Sequence, residues 1–193
     1  FPINLMLDKQ HAKAVLKELR SWLVGDHAFS FNGTQLNVKV KAVNVISQPQ
    51  AAYVAWAFND AGKAVITGDK QRATVAICDI GFNTVDLQTI KAGKEIVANQ
   101  TAGDTLGMRR AAEILKKAVF EAFNVQLTLH QADALLTAKN AEIETLGGFQ
   151  DITALVEQAK ASCAEGVIAF VSSTWESLNA SVVLFGGGGS EAL

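Results

Sequence analysis

The chain has 193 residues, 49% of them apolar and 19% charged, with a formal net charge of −2 and only two prolines. This is a globular composition, long enough to bury a substantial core as one large domain or two small ones. The near-neutral charge excludes the electrostatic footprint of direct nucleic-acid or anionic-membrane binding, and no apolar run reaches a membrane span, so a soluble cytoplasmic protein is expected.

Phe1-Pro2-Ile3 starts abruptly, without Met or a signal peptide, and Leu193 falls where a helix should be starting, so a piece of a longer protein is expected. Asp8 is placed to N-cap a helix from about Lys9 to Val24, closed by Gly25. Ala12, Val15, Leu16, Leu19, Trp22 and Leu23 fall on its inward face. Asp26 to Gly33 reads as a turn, and Leu36, Val38 and Val40 alternate with polar residues as in a half-buried strand. The alternation breaks over Ala42 to Ile46, which predicts deeper burial there. A helix then runs from Gln48-Pro49-Gln50 to about Asn59, with Pro49 in its first turn.

Val65-Ile66-Thr67 and Ala73 to Cys78 flank Gly68-Asp69-Lys70, which predicts a hairpin. The second of these strands is apolar and ends in Asp79; a tight turn through Gly81 follows, and another strand opens at Thr84. A carboxylate at that position can hold a hydrated Mg²⁺, and turn amides beside a glycine can cradle phosphate oxygens. The same pattern also fits an ordinary hairpin with an Asp at its turn. Val85 to Ile90 pairs through Ala92-Gly93 with Glu95 to Ala98, forming a meander with Asp79 and Thr84 at one end of the sheet.

Thr101 to Gly107 reads as a glycine turn before a helix from about Leu106 to Phe123, whose buried face includes Ala111, Ile114, Leu115, Ala118, Val119, Ala122 and Phe123. Arg109, Arg110, Lys116 and Lys117 belong to its solvated side, with contact of one of them to an adenosine or a neighbouring subunit as the other reading. Thr128-Leu129-His130-Gln131 is a capping box opening a short helix through Leu136. Glu142 to Leu146, Gly147-Gly148 and Phe149 to Asp151 form a small hairpin, and a long helix runs from Asp151 to about Trp175. Gly166 inside that helix is a local weakness of about 1 kcal/mol relative to Ala unless a close partner needs it. Ser181 to Phe185 is a short apolar strand running into Gly186, Gly187, Gly188 and Gly189. Such a run permits backbone–ligand contact that any Cβ would block, although linkers and expression scars share the composition. Cys78 and Cys163 form no C-x-x-C and read as buried reduced thiols, while His11, His27 and His130 lack metal-ligand spacing.

Asp79-Ile80-Gly81-Phe82-Asn83-Thr84-Val85-Asp86 together with the strand ending in Gly186 to Gly189 resembles the actin, sugar-kinase and heat-shock-chaperone ATPase superfamily. Within it the order of elements is most similar to the bacterial ParM/StbA-type plasmid-segregation actins. The resemblance implies an α/β, ribonuclease-H-like actin ATPase fold with mixed sheets flanked by helices. Residues 1–60 would end a partial first domain, and 61–193 would form a nearly complete second one. ATP or ADP with Mg²⁺ is the implied cofactor: Asp79 would bind Mg²⁺ through water, Gly81, Asn83 and Thr84 would hold phosphates, and Gly186 to Gly189 would bound the adenosine. Gly103 and Asp104 are further candidates for lying near the nucleotide, with a plain helix-starting turn as the other reading. Gln48 stands where the superfamily carries a residue that orients the attacking water, and Gln50 is close by. Glutamine positions water but is a poor general base, so slow hydrolysis is expected if these residues do more than cap the helix. The first phosphate loop of the superfamily, a DxGxGxxK-like hairpin, does not occur in the sequence. The resemblance further implies head-to-tail filaments and a DNA-binding adaptor as partners, with no direct contact to nucleic acid or membrane. A non-polymerising enzyme such as a sugar kinase, and a scaffold that has lost catalysis, are the other readings of the same fold.

Overall fold

A computed structural model describes residue 3 and residues 7–192 of the chain. Phe1, Pro2 and Leu193, on which the reading of the two ends rests, lie outside the described residues. The chain divides into two compact units, Phe1–Gln48 and Pro49–Leu193.

In the first unit, helix α1 (Lys9–Leu23) starts as expected. The Asp8 carboxylate accepts from the amides of Gln10 and His11 at 3.1 and 3.0 Å, satisfying two of the helix's first donors. Trp22 departs from its expected inward face and is 76% exposed. The stretch read as a turn is a strand: β1 (Gly25–Phe31) pairs antiparallel with β2 (Thr34–Val40). The reversal is confined to Asn32 and Gly33, both at positive φ (48° and 78°), as a two-residue hairpin turn requires. Asn-Gly between two runs is the sequence signature that the broader turn reading missed. The expected half-burial of β2 also fails: among the described residues it pairs only with β1, and Leu36 and Val38 are 38% and 43% exposed. Residues 41–47 are irregular and Ile46 is 40% exposed, so the broken alternation marks departure from the ribbon rather than deeper burial.

The second unit is built on one sheet of order β5-β4-β3-β9, with β6 also paired to β4. Its strands are β3 (Thr74–Ile80), β4 (Val85–Lys91), β5 (Glu95–Ile96), β6 (Ala102–Asp104) and β9 (Val182–Gly186). β3 runs antiparallel to β4 and parallel to β9. Because successive residues of a strand point to opposite faces, β3 serves two cores. Val75 and Ile77 pack with Ala52, Tyr53 and Trp56 of helix α2 (Gln48–Ala57). Ala76, Cys78 and Ile80 pack with Val167 inside helix α6 (Thr153–Thr174) and with Trp175 just beyond its end.

The expected hairpin around Gly68 is absent. Residues 65–67 are irregular, Phe58 makes a single bridge to Ala64, and Asp69–Arg72 form a one-turn helix, α3. An Arg72–Asp69 contact of 2.7 Å spans that turn, although both side chains are exposed and the pair adds little. A third apolar cluster joins α6 to α4 (Met108–Phe123), α5 (Leu129–Leu136) and the hairpin β7 (Glu142–Thr145) and β8 (Gly148–Asp151). The capping box is present: Thr128 and Gln131 bond reciprocally at the start of α5. A Cβ on Gly166 would meet only side-chain atoms, the Arg110 guanidinium at 3.5 Å and Leu106 at 4.0 Å, so no backbone neighbour requires a glycine there.

Candidate functional site

The site is assembled at one end of the large sheet. Asp79 is the penultimate residue of β3, opposite Asp86 of β4 and beside Gly186 of β9. Strand alternation places it on the α2 face with Val75 and Ile77. Partial burial raises the Asp79 pKa above the ordinary carboxylate value. Its neighbour Cys78 points to the opposite face, where burial first and the Asp79 charge second push the thiol up to about 11.

The turn between β3 and β4 is held by the first turn of α4. The amide of Gly107 donates to the Asn83 carbonyl at 3.3 Å, that of Met108 to Gly81 at 3.1 Å, and that of Arg109 to Phe82 at 2.7 Å. A helix start carries donors without intrahelical partners, and here three of them are consumed by the turn. The consequence lies in peptide geometry. In a trans peptide the carbonyl of one residue and the amide of the next point in opposite directions, and there are no cis bonds among the described residues. With the carbonyls of Gly81, Phe82 and Asn83 turned toward α4, the amides of Phe82, Asn83 and Thr84 point away from it together. Successive amides arranged this way form an anion-binding concavity. Gly107 is required for this docking, since a Cβ there would lie 2.5 Å from the Gly81 carbonyl and 2.6 Å from that of Phe82. The Gly81 amide is spent inside the turn, donating to Thr84 at 2.8 Å.

The glycine run crosses the end of β3 rather than trailing away from it. Gly187 has φ +81°, and a Cβ on it would sit 2.5 Å from Asp79 Oδ1. The Gly189 amide donates to the Ile80 carbonyl at 2.8 Å. A Cβ on Gly186 would lie 3.8 Å from Ala52 of α2, while one on Gly188 would meet nothing within 4 Å. Ser190 donates through its hydroxyl to the Gly187 carbonyl at 2.8 Å, closing a turn. A linker would show none of these contacts.

Gly103 and Asp104 are not a turn. They form edge strand β6, with Gly103 opposite Asp86 and Asp104 opposite Val85, because β4 offers a pairing edge at that point. The exposed Asp104 carboxylate accepts from the Thr105 amide at 2.6 Å. Gln50 lies in α2 two residues before Ala52, and Gln48 is the first residue of that helix. Sequence reading omitted Asp86 from the site although it closes the quoted motif. It is 2% exposed and accepts from the Thr84 hydroxyl at 3.2 Å. A cleft of about 660 Å³ opens beside the turn, lined by Asn83, Thr105, Arg109, Arg110 and Glu113. Among the described residues no group of three His, Cys, Asp or Glu side chains forms a metal cage, and no helix is long and apolar enough to cross a membrane.

No curated protein matches the chain by sequence. Its fold is that of solved actin homologues. Ta0583, an archaeal actin homologue, superposes with a TM-score of 0.75 at 14% identity, covering 98% of this chain and 56% of its own. Its ADP complex gives 0.68 at 16%, covering 99% and 58%. ParM in a 15-stranded filament from Clostridium botulinum gives 0.67 at 20%, covering all of this chain and 56% of its own. The chain thus spans just over half the length of these structural relatives. The family described as "Archaeal actin homologue MreB-like, C-terminal" matches residues 77–193, from within β3 through the glycine run and so across most of the candidate site, and the chain belongs to that family.

Proposed function

We propose that this chain carries the nucleotide-binding part of an ATP-dependent, filament-forming actin homologue that works in the cytoplasm, in DNA segregation through an adaptor protein. The observation carrying this reading is the concavity formed by the amides of Phe82, Asn83 and Thr84 at the same sheet end as Asp79. In this reading those amides hold the β- and γ-phosphates of ATP, and the glycine run bounds the adenosine, Gly187 keeping the backbone close to Asp79. The residues present also suit Mg²⁺. Asp79 is a partly desolvated carboxylate facing a second one, Asp86, and a divalent cation would offset that charge. Mg²⁺ prefers a few carboxylate, water and phosphate oxygens to a protein cage. When bound, it would neutralise charge developing on the phosphates. Gln48 and Gln50 would orient the attacking water without removing its proton, consistent with slow turnover.

The ADP complex of one structural relative and the filament of another support nucleotide binding and self-association here. The test is calorimetric titration with Mg-ATP, alongside an Asp79→Ala variant of matched folding. Binding that the variant loses supports the site; equal heats from both chains would overturn it. Light scattering of the longer parent protein with and without ATP separates a filament former from a sugar-kinase-like enzyme, and ATP turnover separates both from an inactive scaffold.

A further inference from the structure

Two neighbouring hollows lie on the surface of the second unit, away from the glycine run. One is lined by Lys116, Lys117 and Phe120 of α4 together with Gln126 and Leu127, and the other by Gln126, Leu127, Glu142 and Glu144. They adjoin at Gln126 and Leu127, and the trough they outline has lysines at one end and glutamates at the other.

Each end carries an exposed phenylalanine. Phe120 is 45% exposed at the lysine end. Phe149 is 73% exposed at the other end; it is the cross-strand partner of Glu144, so the two side chains share the outward face of the hairpin. Ile143, between the two glutamates, turns inward to the core. Lys117 reaches Glu121 at 3.8 Å, but both side chains are mostly exposed and such a pair holds little. Glu113, which also borders the basic hollow, is engaged by Arg109 at 2.9 Å. Among the described residues no salt bridge engages Lys116, Glu142 or Glu144.

From this arrangement we infer that the two adjoining hollows together form a two-fold contact between two copies of this chain. A patch whose charge reverses across its middle is complementary to itself under a two-fold axis. With the axis passing near Gln126 and Leu127, the lysines and Phe120 of one copy lie on the glutamates and Phe149 of the other, twice over. Aromatic residues are enriched at such interfaces, whose charged groups lie at the polar rim. The contact is isologous and therefore closed, unlike a head-to-tail filament contact, and it does not depend on the nucleotide site.

The test is sedimentation of the chain without nucleotide. Wild-type chain is expected to form dimers that dissociate as salt rises. Lys116→Glu with Lys117→Glu, and separately Glu142→Lys with Glu144→Lys, should each give monomers with unchanged circular dichroism. A one-to-one mixture of the two variants should restore dimers, since each altered end then meets its opposite. Should either variant fold poorly, Gln126→Cys in the wild-type background keeps the question open to test. Near the axis it should crosslink to covalent dimers with a short bismaleimide, whereas Gln158→Cys should not. Wild-type monomers throughout, open-ended larger oligomers, charge variants that stay dimeric, or no Gln126→Cys crosslink would overturn the contact.

Discussion

Asp79 and Asp86 stand directly opposite each other across the β3–β4 pair, so two carboxylates share one face at the end of the sheet. Their surroundings divide the labour. Asp86 is buried and takes the Thr84 hydroxyl, which ties the turn to its strand. Asp79 is only partly buried, lies against the backbone of Gly187, and carries a raised pKa. One carboxylate builds the turn, and the other is presented beside it.

Gly187→Ala and Gly188→Ala should behave very differently despite being neighbours. The first forces a side chain into φ +81° and onto Asp79 Oδ1, and should cost about 2–4 kcal/mol of unfolding free energy. The second meets nothing within 4 Å and should stay within about 0.5 kcal/mol of wild type. Denaturant melts of the two variants check this, and similar midpoints would show that the glycine run does not dock on β3.

Gly107→Ala should loosen the turn from α4. The added methyl collides with the carbonyls of Gly81 and Phe82, and three hydrogen bonds of the helix start depend on that approach. A loss of about 2–3 kcal/mol is expected from strain and broken hydrogen bonds at the start of α4, where Gly107 and Met108 are buried. Hydrogen exchange should show faster exchange at Met108 and Arg109, with the centre of α4 near Leu115 changed much less.

The Asp151 carboxylate accepts from the Thr153 amide at 2.8 Å, and its pKa is lowered by the Thr153 side-chain and backbone hydrogen bonds. A carboxylate whose folded pKa lies below its unfolded value adds stability that is fully present above the unfolded pKa and is lost as pH falls through the folded one. Asp151→Ala should therefore melt below wild type at neutral pH, and the gap should close in acid below the ordinary carboxylate range. A gap that persists at low pH would show that the stabilisation does not come from the ionised Asp151 carboxylate.

Both cysteines are buried, and burial raises both thiols, Cys78 to about 11. At pH 8 neither should react with a thiol reagent in the folded protein, and both should react once denatured. Rapid labelling of Cys78 under native conditions would mean that the sheet opens between β3 and α6.

Removing the Thr128 hydroxyl takes away both its acceptance from the Gln131 amide and its bond to the Gln131 side chain. Thr128→Ala should cost about 1 kcal/mol. Thr128→Ser should recover most of that in a thermal melt.

Local chemistry made much of the second unit legible. The β3–β4 and β7–β8 hairpins, the capping box and the long helix each rest on contacts within a few residues, and each forms where its pattern lies. Misreadings arose where a distant partner, or its absence, decided the outcome. Asn32-Gly33 marked a tight turn, but the breadth of strand on either side depended on β1 and β2 finding each other. Val65 to Thr67 had strand composition and found no strand to pair with, while Gly103 and Asp104 looked like a turn and were recruited by the edge of β4.

The order of residues by itself determined the tight turn after Asp79 and the strand that runs into four glycines, because glycine tolerance and strand alternation are properties of single residues and their neighbours. It could not determine which way the amides of Phe82, Asn83 and Thr84 point. That was decided by α4, twenty-five residues further on, whose first amides claim the carbonyls of Gly81, Phe82 and Asn83. Nor could it show that Gly187 lies against Asp79, more than a hundred residues away. The parallel pairing of β9 with β3 brings the two together, and only packing across the whole sheet sets that register.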